Sequence, residues 1–120
     1  MSIAFTFYGL PNCSTCRRAV DYLARNGAVE IRYRDIKTDP LSRDEVERLA
    51  KSAGGASELF SRKARKYRSM GLNERELSDN DMLDLMSSEY TFIKRPVLVG
   101  NPGAICGFSS KSYDAFLDAQ

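Results

Sequence analysis

The chain has 120 residues, a balanced composition and a formal net charge of +2, which suits one domain and is too little charge to argue for direct contact with nucleic acid. No apolar run approaches the ~20 residues that span a bilayer, and Met1 to Asn12 lacks the basic start and long apolar stretch of a signal peptide, so a cytoplasmic, monomeric protein without membrane contact is expected. There is no histidine, which removes an imidazole base, a Ser-His-Asp triad and histidine metal ligands from consideration.

Ile3 to Tyr8, I-A-F-T-F-Y, is a β-branched and aromatic run that predicts a buried strand, and Gly9, Leu10, Pro11 and Asn12 break it. From Ser14 onward Ala19, Val20, Tyr22, Leu23 and Ala24 recur near helical spacing until Asn26-Gly27 supplies a stop. Ile31 to Ile36 predicts a second strand, and the intervening helix has the length of a parallel crossover, so the chain opens β-α-β. Ser42 with Glu45 forms a capping box that starts a helix ending near Gly54-Gly55. Ala56 to Tyr67 predicts a short helix followed by a basic one, and Ser78 with Asp81 starts a helix over about Asp79 to Ser88. Val97-Leu98-Val99, the turn Gly100-Asn101-Pro102-Gly103 and Ala104-Ile105-Cys106 read as a β-hairpin, after which Ser109-Ser110 cap a last helix. In order, β-α-β, helices, β-β-α is an α/β, thioredoxin-like fold: a core of about residues 1–36 and 93–120 around an all-helical insertion of about residues 37–92.

That order places Cys13 and Cys16, in Y-G-L-P-N-C-S-T-C-R-R-A, at a strand-to-helix turn. A C-x-x-C at such a turn in a β-α-β unit is a redox pattern, since a reducing cytosol keeps ordinary pairs open and leaves chemistry as the default. The helix N-terminus favours a thiolate at Cys13, with Arg17 and Arg18 adding positive charge, and Cys16 one turn further in takes the resolving role. The same N-terminus is an anion site by geometry, with the amides of Ser14 to Arg17 available to a tetrahedral oxyanion above Cys13. Arginine forks suit oxyanions, and the candidates are Arg17, Arg62 and Arg95. Arg62, Arg65 and Arg68 also read as a solvated basic helix face, the usual meaning of such a run. Arg95 stands before Pro96 and a buried strand, a less casual place for charge. Cys106, inside a strand, reads as a small buried apolar side chain, and as the one remaining soft ligand it is too little to complete a zinc site, so no metal is expected.

The whole chain resembles the arsenate reductase (ArsC)-like branch of the thioredoxin superfamily, which includes the Spx-type redox regulators. The likeness rests on F-Y-G-L-P-N-C-S-T-C-R-R-A, D-P-L-S-R-D-E-V, L-F-S-R-K-A-R-K-Y-R-S-M-G-L and F-I-K-R-P-V-L-V-G with G-F-S. It implies that Cys13 attacks arsenate or a related oxyanion or thiol substrate. Arg17, Arg95 and Arg62, which falls close to the family's insertion arginine, then hold charge, the Arg95-Pro96 bond is cis, and glutathione with glutaredoxin restores the thiol without a bound cofactor. Three differences separate it from the plasmid-type reductases: Gly107-Phe108 stands where they carry a third arginine, no histidine precedes the loop, and Cys16 replaces a serine. Cys16 restores the pair of the Spx-type regulators, for which the resemblance implies a Cys13-Cys16 switch and a partner in the carboxy-terminal domain of the RNA polymerase α-subunit, contacted near Gly54-Gly55.

Overall fold

A computed structural model of the chain describes residues 4–26 and 30–120. Along it lie β1 (Ala4–Gly9), α1 (Ser14–Arg25), β2 (Glu30–Asp35), α2 (Arg43–Ala53), α3 (Ala56–Leu59), α4 (Arg65–Ser69), α5 (Asp79–Ser88), β3 (Val97–Val99), β4 (Ala104–Cys106) and α6 (Ser110–Asp118). Single 3-10 turns occupy Leu72–Glu74 and Tyr90–Phe92. The residues fall into two units: one runs to Asp39 and resumes from Arg95 to Gln120, and the other is Pro40–Lys94.

The first unit is built on a sheet of strand order β2-β1-β3-β4, with β1 parallel to β2 and antiparallel to β3, and β3 antiparallel to β4. This is the thioredoxin-like arrangement expected from the element order. Phe5, Phe7 and Gly9 alternate inward along β1, the period of two that a strand imposes. On α1 the buried residues are Cys16, Ala19 and Leu23, at the spacing that puts them on one stripe. That stripe packs with Phe5, Phe7 and Leu98 from the sheet and Tyr113 from α6, flanked by Val20, Ile31, Ile105, Phe108, Phe116 and Leu117. The Tyr22 hydroxyl donates to the Asp114 carboxylate, joining α1 to α6 at the surface. In the hairpin turn the Gly100 N–H bonds the Gly103 carbonyl at 2.9 Å.

In the second unit both expected capping boxes form: Ser42 with Glu45 opens α2 and Ser78 with Asp81 opens α5. Helix α2 ends at Gly54 in the left-handed conformation, φ 102°, where a side chain would be strained. Val46, Leu49, Leu59, Met82 and Met86 fill this unit's core, with Phe60 and Phe92 stacked at 5.4 Å. The unit departs from an all-helical insertion at one place, an antiparallel bridge between Phe60 and Ile93, because the loop after α3 runs extended beside the segment leading to β3. Strand limits move by one residue from those expected: β1 ends at Gly9 because Gly9 still pairs with Asp35. Ile3 and Gly27, the expected strand start and helix stop, lie outside the described residues; α1 closes at Asn26, whose side-chain amide donates to the Tyr22 carbonyl at 2.8 Å.

Candidate active site

Cys13 is the N-cap of α1. Its backbone is extended, its Sγ accepts the Cys16 N–H at 3.3 Å, and its carbonyl accepts the Arg17 N–H at 3.0 Å as the first helical bond. The sulfur therefore sits against the positive end of a twelve-residue helix, where negative charge is favoured. Two of the four amides expected to face an anion are committed in this way, the Cys16 and Arg17 N–H groups, which leaves those of Ser14 and Thr15 at the open end. The Arg17 amide is used because the carbonyl of an N-cap is the first acceptor of the helical ladder.

Cys16 differs from Cys13 by its position on the helix. Three residues further on it joins the buried stripe and is 3% exposed, while Cys13 is half-buried. Burial, reinforced by the hydrogen bond with Cys13, pushes the Cys16 thiol up from 9.0 to about 12. Opposing it are a hydrogen bond from the Leu10 backbone and the charge of Arg95, which pull the thiol down. Arg95 is thus near enough for its charge to be felt at Cys16. Pro96, fully buried, follows it through a cis bond, and Asn101-Pro102 is a second cis bond that no sequence feature had singled out. Arg17 is exposed and lines an open cleft of about 360 Å³ with Cys16, Phe7, Leu10, Val20 and Tyr33.

The other candidates are placed as follows. Arg62 belongs to the second unit, where its guanidinium stands 5.6 Å from the Phe60 ring centroid. In that unit's basic run, Lys66 pairs with Glu89 at 2.7 Å and α4 has no buried residue, the character of a solvated face. Cys106 ends β4 half-buried, more open than a core cysteine would be. At the position of the absent third arginine, the Phe108 ring packs edge-on against Tyr113 at 4.8 Å. This corner of the unit is apolar. Among the described residues no three of His, Cys, Asp or Glu gather to hold a metal ion.

Two residues near Cys16 had no sequence signal tying them to the site. Gly9 approaches its sulfur from β1, and Tyr113, fully buried on α6, has a hydroxyl with no hydrogen-bond partner among the described residues. Burial, with the nearby sulfurs of Cys16 and Cys106, holds that phenol protonated well above its ordinary range. An unpaired buried hydroxyl costs its desolvation and returns nothing. Tyr113→Phe is therefore expected to leave urea stability unchanged or raise it by up to about 1 kcal/mol. A loss of more than that would mean the hydroxyl has a partner in the folded protein.

The family model described as the ArsC family matches residues 8–116. Among named relatives, the global transcriptional regulator Spx of Streptococcus mutans is 29% identical, the match covering 93% of this chain and 82% of the regulator. The uncharacterized protein YusI of Bacillus subtilis is 30% identical, with 93% and 97% covered. A solved structure from Streptococcus mutans, described as a possible arsenate reductase, superposes with a TM-score of 0.75 at 29% identity, covering 94% of this chain and 99% of its own. Among the described residues no helix is long and apolar enough to cross a membrane. With a family match over almost the whole chain and a cysteine pair at the head of α1 in a thioredoxin-like sheet, this chain belongs to the ArsC family.

Proposed function

We propose that this protein is a thiol-dependent reductase acting on a small oxyanion or thiol substrate, with Cys13 as nucleophile. One observation carries the reading: Cys13 caps α1 with its sulfur on the Cys16 N–H, while the second thiol is buried directly behind it. An arsenate-type substrate would be held by the Ser14 and Thr15 amides and by Arg17 and Arg95. Cys13 sulfur bonds to the central atom and an oxygen leaves as water. A second thiol, from Cys16 or glutathione, then attacks the Cys13 sulfur; a disulfide forms and the central atom departs reduced by two electrons. Glutathione with glutaredoxin returns the cysteines to thiols. The protonated thiol of Cys16 leaves the substrate to Cys13, and it becomes a resolving nucleophile only on giving up that proton.

A second reading is favoured by the relatives, among them a global transcriptional regulator, Spx: a redox-sensing regulator in which a Cys13–Cys16 disulfide would change binding to the carboxy-terminal domain of the RNA polymerase α-subunit. One experiment separates the two. Purified protein is given arsenate, glutathione and glutaredoxin, and its binding to that isolated polymerase domain is measured in reduced and oxidised forms. Turnover supports the reductase. Absence of turnover together with redox-dependent binding to the polymerase domain establishes the regulator in its place.

A further inference from the structure

Glycine is depleted in strands, where it weakens the backbone and offers no side chain, and it persists where a left-handed φ, a turn or a close approach demands it. Gly9 is the last residue of the ladder, paired with Asp35, and is not among the glycines of positive φ. Its backbone would accept alanine. What a side chain would meet is a tight neighbourhood: a Cβ there would come within 3.0 Å of the Phe7 Cε1 and 3.1 Å of the Cys16 sulfur, so one or both must give way. The bare face of Gly9 is thus the wall against which the resolving thiol rests.

We infer that Gly9 is a positioning residue which, by leaving room for the Cys16 sulfur, sets the balance between dithiol and disulfide in the Cys13–Cys16 pair. The inference rests on the disulfide chemistry proposed above. In the dithiol the Cys16 sulfur needs the space beside Gly9. Closing the disulfide fixes its separation from the Cys13 sulfur at about 2.05 Å, and on this proposal the Cys16 sulfur moves toward Cys13 and off Gly9. A methyl at position 9 therefore crowds the dithiol more than the disulfide. Contacts this tight need relief of only a few tenths of an ångström, so the variant is expected to fold.

The test equilibrates wild type and Gly9→Ala in dithiothreitol buffers: the two protein thiols and oxidised dithiothreitol exchange for the protein disulfide and reduced dithiothreitol, two electrons and two protons passing to the reagent. Trapping by alkylation and peptide mapping gives the Cys13–Cys16 disulfide fraction. Gly9→Ala is expected to shift the equilibrium about tenfold toward disulfide, or about 30 mV. An unshifted equilibrium, or one moved toward dithiol, overturns the role of Gly9 while leaving the disulfide chemistry standing. A wild type that forms no Cys13–Cys16 disulfide at any ratio overturns both. Should Gly9→Ala alone fail to fold, the double variant Gly9→Ala with Cys16→Ala decides: a folded double variant supports the sulfur as the obstacle, and an unfolded one overturns it.

Discussion

Cys13→Ser is expected to lower reductase turnover by at least about a thousandfold, because a hydroxyl at neutral pH is a far weaker nucleophile than a thiolate and no histidine exists to activate it. The fold should survive unharmed. Cys13 is an N-cap whose sulfur accepts the Cys16 N–H at 3.3 Å, and serine is among the best residues for that duty. Urea stability should therefore hold or rise by a few tenths of a kcal/mol, up to about 1 kcal/mol. The variant also cannot form the Cys13–Cys16 disulfide, so it should lose redox response in the regulator reading as well. Turnover retained at wild-type level would remove Cys13 as the nucleophile. A large loss of stability would show that the sulfur does more for the helix than cap it.

The second large effect is alkaline. The folded protein holds the Cys16 proton to about pH 12, whereas an unfolded chain releases it near 9.0. Below 9.0 both states carry the proton and the thiol contributes no pH dependence. Between 9.0 and about 12 the folded state binds the extra proton, so stability falls as pH rises, by at most about 1.4 kcal/mol per pH unit. Urea denaturation in reductant at about pH 8 and about pH 10.5, wild type beside Cys16→Ala, isolates this group, because other titrations are common to both. The wild type should lose more stability than the variant over that interval. Parallel losses would mean that Cys16 is not held protonated in the folded chain.

Both effects trace to two cysteines three residues apart with opposite surroundings. Helical geometry was enough to see part of this: position 13 precedes the helix, and position 16 stands on the face carrying Ala19 and Leu23. The spacing could not say how deep Cys16 lies, because depth depends on Phe7, Leu98 and Tyr113 arriving from other elements. The cleft beside Cys16, assembled from β1, α1 and β2, was equally invisible in the linear order. Arg17 was legible through its place in the first helical turn, whereas Arg95 needed the hairpin to return beside β1 before its charge could reach Cys16.

By itself the sequence determined the features whose chemistry is settled within a few residues. These are the breaks after β1, the boxes at Ser42 and Ser78, the Ser109 cap and the helical crossover that makes β1 and β2 parallel. Each depends on a side chain meeting a backbone group at most a turn away, or on a crossover length, and such terms are fixed before the chain collapses. Only the tertiary structure decided the strand order β2-β1-β3-β4, the unpaired Tyr113 hydroxyl and the close approach of Cys16 and Phe7 to position 9. Those arise where segments far apart in sequence compete for the same space, and close packing, which no local pattern records, settles which atoms meet.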